Sequence, residues 1–236
     1  MRNVVYAGFL FLAMAGVVFT STSCGGGGGG SSGGSGGGSV NLTPNSLTIG
    51  ANGLGAFLAL QNGTPVDVSF SQSGGATINI LGTGHAQITF PPSGTVTITA
   101  TTFADSSDST VVTIDPTRAT VYGRVVDEDL LTGIGGVTVQ FKNGTNVVAS
   151  TQTLANGYFS VGVPTTANRM HISTSGLSSF YYRQYRYQSM RYTMLDPNCS
   201  VTLPALVAGT THQLSGSIQI TNTNGPPPPP PNGCTP

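Results

Sequence analysis

Few groups in this chain have the type and spacing for chemistry. The run Asp127-Glu128-Asp129 is its only acidic cluster. Paired carboxylates on a loop suit Ca²⁺, which takes six to eight oxygens. The Asp-x-[Asp/Asn]-x-[Asp/Asn]-Gly spacing is missing, so the cluster reads as a solvated turn between strands. His85, His171 and His212 lie far apart, without partners at ligand spacing, and read as surface residues. No Ser-x-x-Lys, no phosphate-binding Gly-x-x-x-x-Gly-Lys-[Ser/Thr] and no Gly-x-Ser-x-Gly outside the Gly/Ser tract occurs. Lys142, the single lysine, could join an Asn side chain in an isopeptide bond only with an acidic proton shuttle beside it, and no motif supplies one. The sequence therefore predicts no catalytic group, no metal site and no cofactor.

The remaining candidate is the stretch Tyr181-Tyr182-Arg183-Gln184-Tyr185-Arg186-Tyr187-Gln188. As one strand it puts Tyr181, Arg183, Tyr185 and Tyr187 on one face, with Tyr182, Gln184, Arg186 and Gln188 on the other. Tyrosine faces stack on sugar rings, and Arg and Gln reach hydroxyls, so the first set is the candidate carbohydrate-binding face. The same residues can instead form cross-strand pairs with Arg over Tyr. The absence of Trp and the need to bury one face favour the structural use.

The elements that must position these groups are strands. Charged residues make up 7% of the 236, with net charge zero, where ordinary soluble domains carry about 25%. That balance argues against nucleic acid or an anionic lipid surface as main partner. Thr, Ser, Asn and Gln must cover the surface. Residues 40–225 show no sustained helical period. Alternating runs at 46–49, 57–60, 66–70, 77–81, 86–90, 95–101 and 110–114 give seven strands separated by Gly, Asn and Pro, a sandwich pattern. Asp115-Pro116-Thr117 is a turn-forming break. A second set of strands follows, at 121–127, 137–139, 147–153 and 158–161, with 200–206 and 212–220 completing it. Pro226 to Pro231 must form polyproline II.

Three short runs carry a resemblance: Leu42-Thr43-Pro44-Asn45-Ser46-Leu47-Thr48-Ile49-Gly50, then Val68-Ser69-Phe70-Ser71-Gln72-Ser73-Gly74, then Gly94-Thr95-Val96-Thr97-Ile98-Thr99-Ala100. Residues 40–115 thereby resemble bacterial Ig-like domains of the BIG2 type, with Phe70 where that family usually has Trp. Val121-Tyr122-Gly123-Arg124-Val125-Val126-Asp127, Thr132-Gly133-Ile134-Gly135-Gly136-Val137-Thr138-Val139 and Ala155-Asn156-Gly157-Tyr158-Phe159 resemble the carboxypeptidase regulatory-like domain over 119–175. That resemblance implies a prealbumin-like Greek-key sandwich with a carbohydrate-binding-like fold. Ile134-Gly135 and Leu154 depart from its pattern.

The amino terminus sets an address. Residues 1–23 hold a thin basic start at Arg2, an apolar stretch at 4–19 and small residues Ser21-Thr22-Ser23 before Cys24, the layout of a signal peptide. This is similar to the bacterial lipobox, with Ser21 where the family prefers Leu or Val, and implies lipidation of Cys24. Ordinary secretion and an uncleaved amino-terminal anchor are the alternatives. Residues 25–39 contain only Gly and Ser, a disordered spacer. Export makes Cys199 and Cys234, the remaining pair, a disulfide by default.

The expected organisation is all-β: two tandem antiparallel Greek-key β-sandwiches after a signal peptide and disordered Gly/Ser linker. The boundaries are 1–23, 24–39, 40–115, 117–222 and a Pro-rich tail at 223–236. The expected role is a non-enzymatic lipoprotein of the cell envelope, at the outer membrane or cell surface. It would be held by its lipid and present its β-sandwiches for structural or adhesive interactions, as a monomer, with polysaccharide or another envelope protein as partner and no nucleic acid. The alternatives are a carbohydrate-binding module protein and a secreted one.

Overall fold

The computed structural model describes residues 38–234, so the expected signal peptide, Cys24 and most of the Gly/Ser linker lie outside the described residues. The described chain is all-β. Its first nine strands are β1 (Val40–Thr43), β2 (Ser46–Gly50), β3 (Leu54–Gln61), β4 (Thr64–Pro65), β5 (Ser69–Ser73), β6 (Thr77–Gly82), β7 (His85–Thr89), β8 (Gly94–Thr101) and β9 (Ser107–Asp115). Ten more follow: β10 (Arg118–Asp127), β11 (Thr138–Asn143), β12 (Asn146–Gln152), β13 (Tyr158–Pro164), β14 (Arg169–Ile172), β15 (Gln184–Tyr187), β16 (Met190–Thr193), β17 (Val201–Thr202), β18 (Thr211–Gln213) and β19 (Ile218–Ile220).

The first sandwich faces the sheet β1-β3-β7-β6 against β2-β9-β8-β5. With β1 and β2 as two halves of one first strand, this is the immunoglobulin order ABED over CFG. The chain changes sheets at Pro44-Asn45, and β2 then runs parallel to β9. β8 shows why the alternating pattern works. Val96, Ile98 and Ala100 are buried, and Thr95, Thr97 and Thr99 point outward. The Thr99 and Ser109 hydroxyls pair across strands at 2.8 Å, so the outer face is satisfied without charge. Phe57 and Phe90 fill the core, ring centroids 6.1 Å apart. Phe70 is only half-buried at its rim.

The second sandwich faces β13-β10-β19-β15-β16 against β12-β11-β14-β17. Most pairs are antiparallel, but β18 and β19 both run parallel to β10. The stretch expected as a strand over 212–220 is thus one strand interrupted. β18 pairs with the first half of β10 and β19 with the second. Between them Leu214 N–H donates to the Tyr122 carbonyl and Gly216 turns with φ 81°. Of the strand expected over 200–206, only β17 forms.

Asp115-Pro116-Thr117 joins the sandwiches by a tight turn, in which Asp115 accepts from Thr117 N–H and pairs with Arg118 at 3.0 Å. A third apolar cluster lies between them. It consists of Ala56 and Leu58 from β3, Tyr122 from β10 and Leu154. β3 therefore buries both faces, Phe57 and Ala59 inward and Ala56 and Leu58 into the seam, which explains its unbroken apolar run. Two buried hydrogen bonds cross the seam, Gly50 N–H to Thr120 Oγ1 at 3.0 Å and Ala56 N–H to Ser160 Oγ at 3.1 Å. The backbones touch there: a Cβ on Gly162 would lie 3.0 Å from Ile49 Cα.

Candidate ligand pocket

The Tyr/Arg stretch does not form one strand. Only β15 does, and it turns back at Gln188-Ser189 into β16, with Gln188 at φ 54°. Tyr185 is 0% exposed and Tyr187 8%. The Tyr185 ring stacks on Tyr192 at 5.2 Å and meets the His171 edge at 6.2 Å. Burial pushes its phenol far above the ordinary tyrosine range. Tyr181 and Arg183 are half-buried and lie before the strand, Tyr181 bridging to Asn222 and Arg183 donating to the Leu177 carbonyl at 3.3 Å. A coplanar face of Tyr181, Arg183, Tyr185 and Tyr187 is therefore not presented, and Tyr185 has no ring face left for a sugar. The physical reason is that this face of β15 turns into the core of the second sandwich, where Tyr185, Tyr187 and Tyr192 pack.

The outward residues of the same hairpin hold the acidic cluster. Arg191 Nη2 donates to both Glu128 oxygens at 2.7 and 2.9 Å. Arg186 Nε sits 3.0 Å from Glu128 Oε1, and the Thr221 hydroxyl donates to Glu128 Oε2. Burial alone would raise the Glu128 pKa. Thr221 and the two guanidinium groups outweigh it and hold the carboxyl below the ordinary range. Asp127, 2% exposed, accepts from Asp129 N–H, Leu130 N–H and Asn222 Nδ2. The cluster is thus a structural tie between loops, and the solvated turn expected from sequence is corrected for Asp127 and Glu128. Among the described residues, no three His, Cys, Asp or Glu side chains group closely enough to hold a metal ion.

Lys142 is also buried, at 2% exposure. β11 pairs in regular register with β14 through Phe141 and Lys142, and the bulge beside them lies on β12 at Val148. The Lys142 amine donates to the Pro197 carbonyl at 2.7 Å, and burial lowers its pKa. That bond is to main chain, not to an Asn amide. His171 is buried rather than on the surface, its Nδ1 3.0 Å from the Cys199 carbonyl, and burial lowers its pKa. His85 lies in the seam, 4.8 Å from the Tyr158 ring; burial and then Arg124 lower its pKa. His212 is half-buried, and its Nε2 accepts from Val207 N–H at 3.3 Å.

Cys199 and Cys234 form a disulfide, with Cα atoms 5.0 Å apart. It fastens the tail beside a cavity of about 480 Å³ in the second sandwich. Buried Val121, Val201, Leu203 and Leu206 line its interior, with Tyr187 and Tyr192 at the hairpin side and His212 opposite. Tyr187 alone of the four expected sugar-binding residues lines it, its hydroxyl accepting from Ser215 N–H at 3.1 Å. Burial, then Tyr187, raise the Tyr192 pKa. Sequence reasoning missed Tyr192, His212 and the leucines, because five separate segments converge there. The signal it did contain was the Cys199/Cys234 pair, which fixes the tail.

No protein-family model matches the chain, and no curated protein matches it in sequence. Solved structures found similar include the TIE protein of Bacillus anthracis, at 13% identity and TM-score 0.28, covering 78% of this chain and 40% of that one. BcpA, the major pilin subunit of Bacillus cereus, is 12% identical at TM-score 0.29, over 79% of this chain and 70% of that one. The Yersinia pseudotuberculosis adhesin InvE is 10% identical at TM-score 0.24, over 65% of this chain and 66% of that one. Likeness at this level carries no argument about what the chain does.

Proposed function

We propose that this chain is an exported, non-enzymatic surface protein whose two sandwiches act as one rigid display unit, tethered to a membrane through lipidated Cys24. The observation that carries the reading is the seam. Buried side chains and two buried hydrogen bonds lock the sandwiches together, so what they present keeps a fixed geometry. The disulfide supports an oxidising compartment. Glu128, Arg191, Lys142 and His171 are engaged in structural contacts, which leaves them without a nucleophile–base arrangement. The strand order of the first sandwich supports an Ig-like domain of the BIG2 type. The Asn156-Gly157-Tyr158 turn supports a carboxypeptidase regulatory-like second domain. Its contacts would be structural or adhesive, to another envelope protein or to polysaccharide, from an outer-membrane or cell-surface position.

Mass spectrometry of the protein from its native host tests this. The expected mature amino terminus is a diacylglyceryl Cys24, with Cys199 and Cys234 oxidised. A free terminus near Ser23 or Gly25 would replace the tether by plain secretion. An intact Met1 with free thiols at Cys199 and Cys234 would overturn export altogether.

A further inference from the structure

The cavity beside Tyr187 and Tyr192 is not needed for display, and its construction is specific. About 480 Å³ lies within the range of small-ligand sites, roughly 300–1,000 Å³. No Asp, Glu, Lys or Arg contributes to its lining. A charged ligand would surrender hydration there without a counter-charge. The floor is aliphatic, and Val121, Val201, Leu203 and Leu206 offer no partner to a buried hydroxyl. A sugar, with a hydroxyl on nearly every carbon, would leave unpaired those that face these four side chains. Polar side chains line the rest, on Gln188, Ser200, Thr202, His212, Gln213 and Asn232.

The far end of the carboxy-terminal strap borders the cavity through Asn232 and Gly233. From Gly225 on, every third residue is half-buried (225, 228, 231 and 234), and the prolines between them are exposed. That is the three-residue period of polyproline II, with one ridge on the domain and two facing solvent. The strut is fixed at both ends. Asn222 Oδ1 accepts from Asn224 N–H and Gly225 N–H at 3.0 and 3.1 Å. At the far end Asn232 and Gly233 N–H groups donate to the Arg191 carbonyl at 3.0 and 2.8 Å, and Asn232 Oδ1 accepts Arg191 N–H at 2.7 Å. The disulfide follows at once. Gly233 is required because a Cβ there would overlap the Tyr192 ring. We propose that this cavity is a preformed binding site for one compact, uncharged ligand with a hydrocarbon body and hydrogen-bonding groups at its edge, bordered by the disulfide-latched end of the polyproline strap. A stiff border spares the ligand the cost of ordering it.

The test uses the oxidised full chain carrying Cys24→Ser, so that no acyl chain competes for the probe. The neutral dye N-phenyl-1-naphthylamine should brighten and saturate at one equivalent. Its anionic relative 8-anilinonaphthalene-1-sulfonate should bind about tenfold or more weakly, for want of a counter-charge. 1-Decanol should displace the neutral dye, and maltose should not. Thr202→Trp and Met190→Trp, two exposed lining positions, should each weaken binding about tenfold by occupying the mouth. Cys234→Ala should weaken it by releasing that border while the far-ultraviolet circular dichroism is kept. Absence of saturable binding would overturn the proposal. So would equal binding by the wild type and both Trp variants, which would place the dye on exposed side chains such as Phe103 and Phe180. Displacement by maltose and not by decanol would overturn the ligand class.

Discussion

Glu128→Gln isolates a partly buried charge cluster that ties the β15–β16 hairpin to the loop after β10. The carboxylate meets Arg191 through both oxygens, at 2.7 and 2.9 Å, and Arg186 at 3.0 Å. Gln keeps the shape and removes the charge, so two guanidinium groups then face an amide. Breaking a fully buried pair costs about 3–5 kcal/mol. Side-chain exposure is 14% at Glu128 and 12% at Arg191 but 37% at Arg186. Water screens the Arg186 share, which leaves about 2–3 kcal/mol. For a unit of this size that lowers Tm by roughly 5–10 °C. Urea unfolding of the oxidised protein at pH 7 measures it. A loss below about 0.5 kcal/mol would refute the reasoning, since desolvation would then have cancelled the attraction. The pH profile gives an independent check. The Glu128 pKa is lowered on folding, so its contribution is present above the unfolded value of about 4.5 and is lost as pH falls through the folded value. Glu128→Gln should remove that slope. Adding Arg191→Met should restore part of the stability by deleting the stranded charge.

Two further perturbations test the seam and the turn beside it. His85 has its pKa lowered by burial and then by Arg124, so the unfolded chain binds the extra proton. Its contribution is present above pH 6.5 and lost as pH falls below that, and His85→Gln should reduce the slope between pH 5 and 7 in thermal melts. An unchanged slope would assign it wholly to His171, whose shift has the same sign. Gly157→Ala should destabilise by about 2 kcal/mol or more, because Gly157 sits at φ 82° and a Cβ would overlap the Val125 carbonyl oxygen. Chemical denaturation should show that loss, and a neutral result would mean the turn at Gly133 and Gly157 opens without cost.

The strands of the first sandwich were legible because each needs only a period of two. β8 and β9 follow the Thr/Val alternation directly, burying Val96, Ile98, Ala100, Val112 and Ile114. β1 was missed, since its Val40 and Leu42 belong to a sheet different from that of the neighbouring β2. Tyr185 illustrates the limit of alternation. Period two correctly separates Tyr185 and Tyr187 from Gln184 and Arg186, but it cannot say which face looks inward. Lys142 was illegible for another reason, because Pro197, whose carbonyl receives its buried amine, lies 55 residues further along. The acidic cluster looked solvated because its arginine partners lie some sixty residues further along.

Local pattern thus determined that the chain is all-β, that its surface is hydroxyl-rich rather than charged, and that Cys199 has Cys234 as its partner among the described residues. Those properties depend on composition and nearest-neighbour alternation, which a sequence carries in full. Tertiary structure decided what faces what. It placed β15 between β19 and β16, fused the sandwiches through β3 and β10, and brought the end of the carboxy-terminal tail to the rim of a cavity. Such features depend on contacts between residues far apart in the chain. Their energies are set by burial and geometry that no single segment contains.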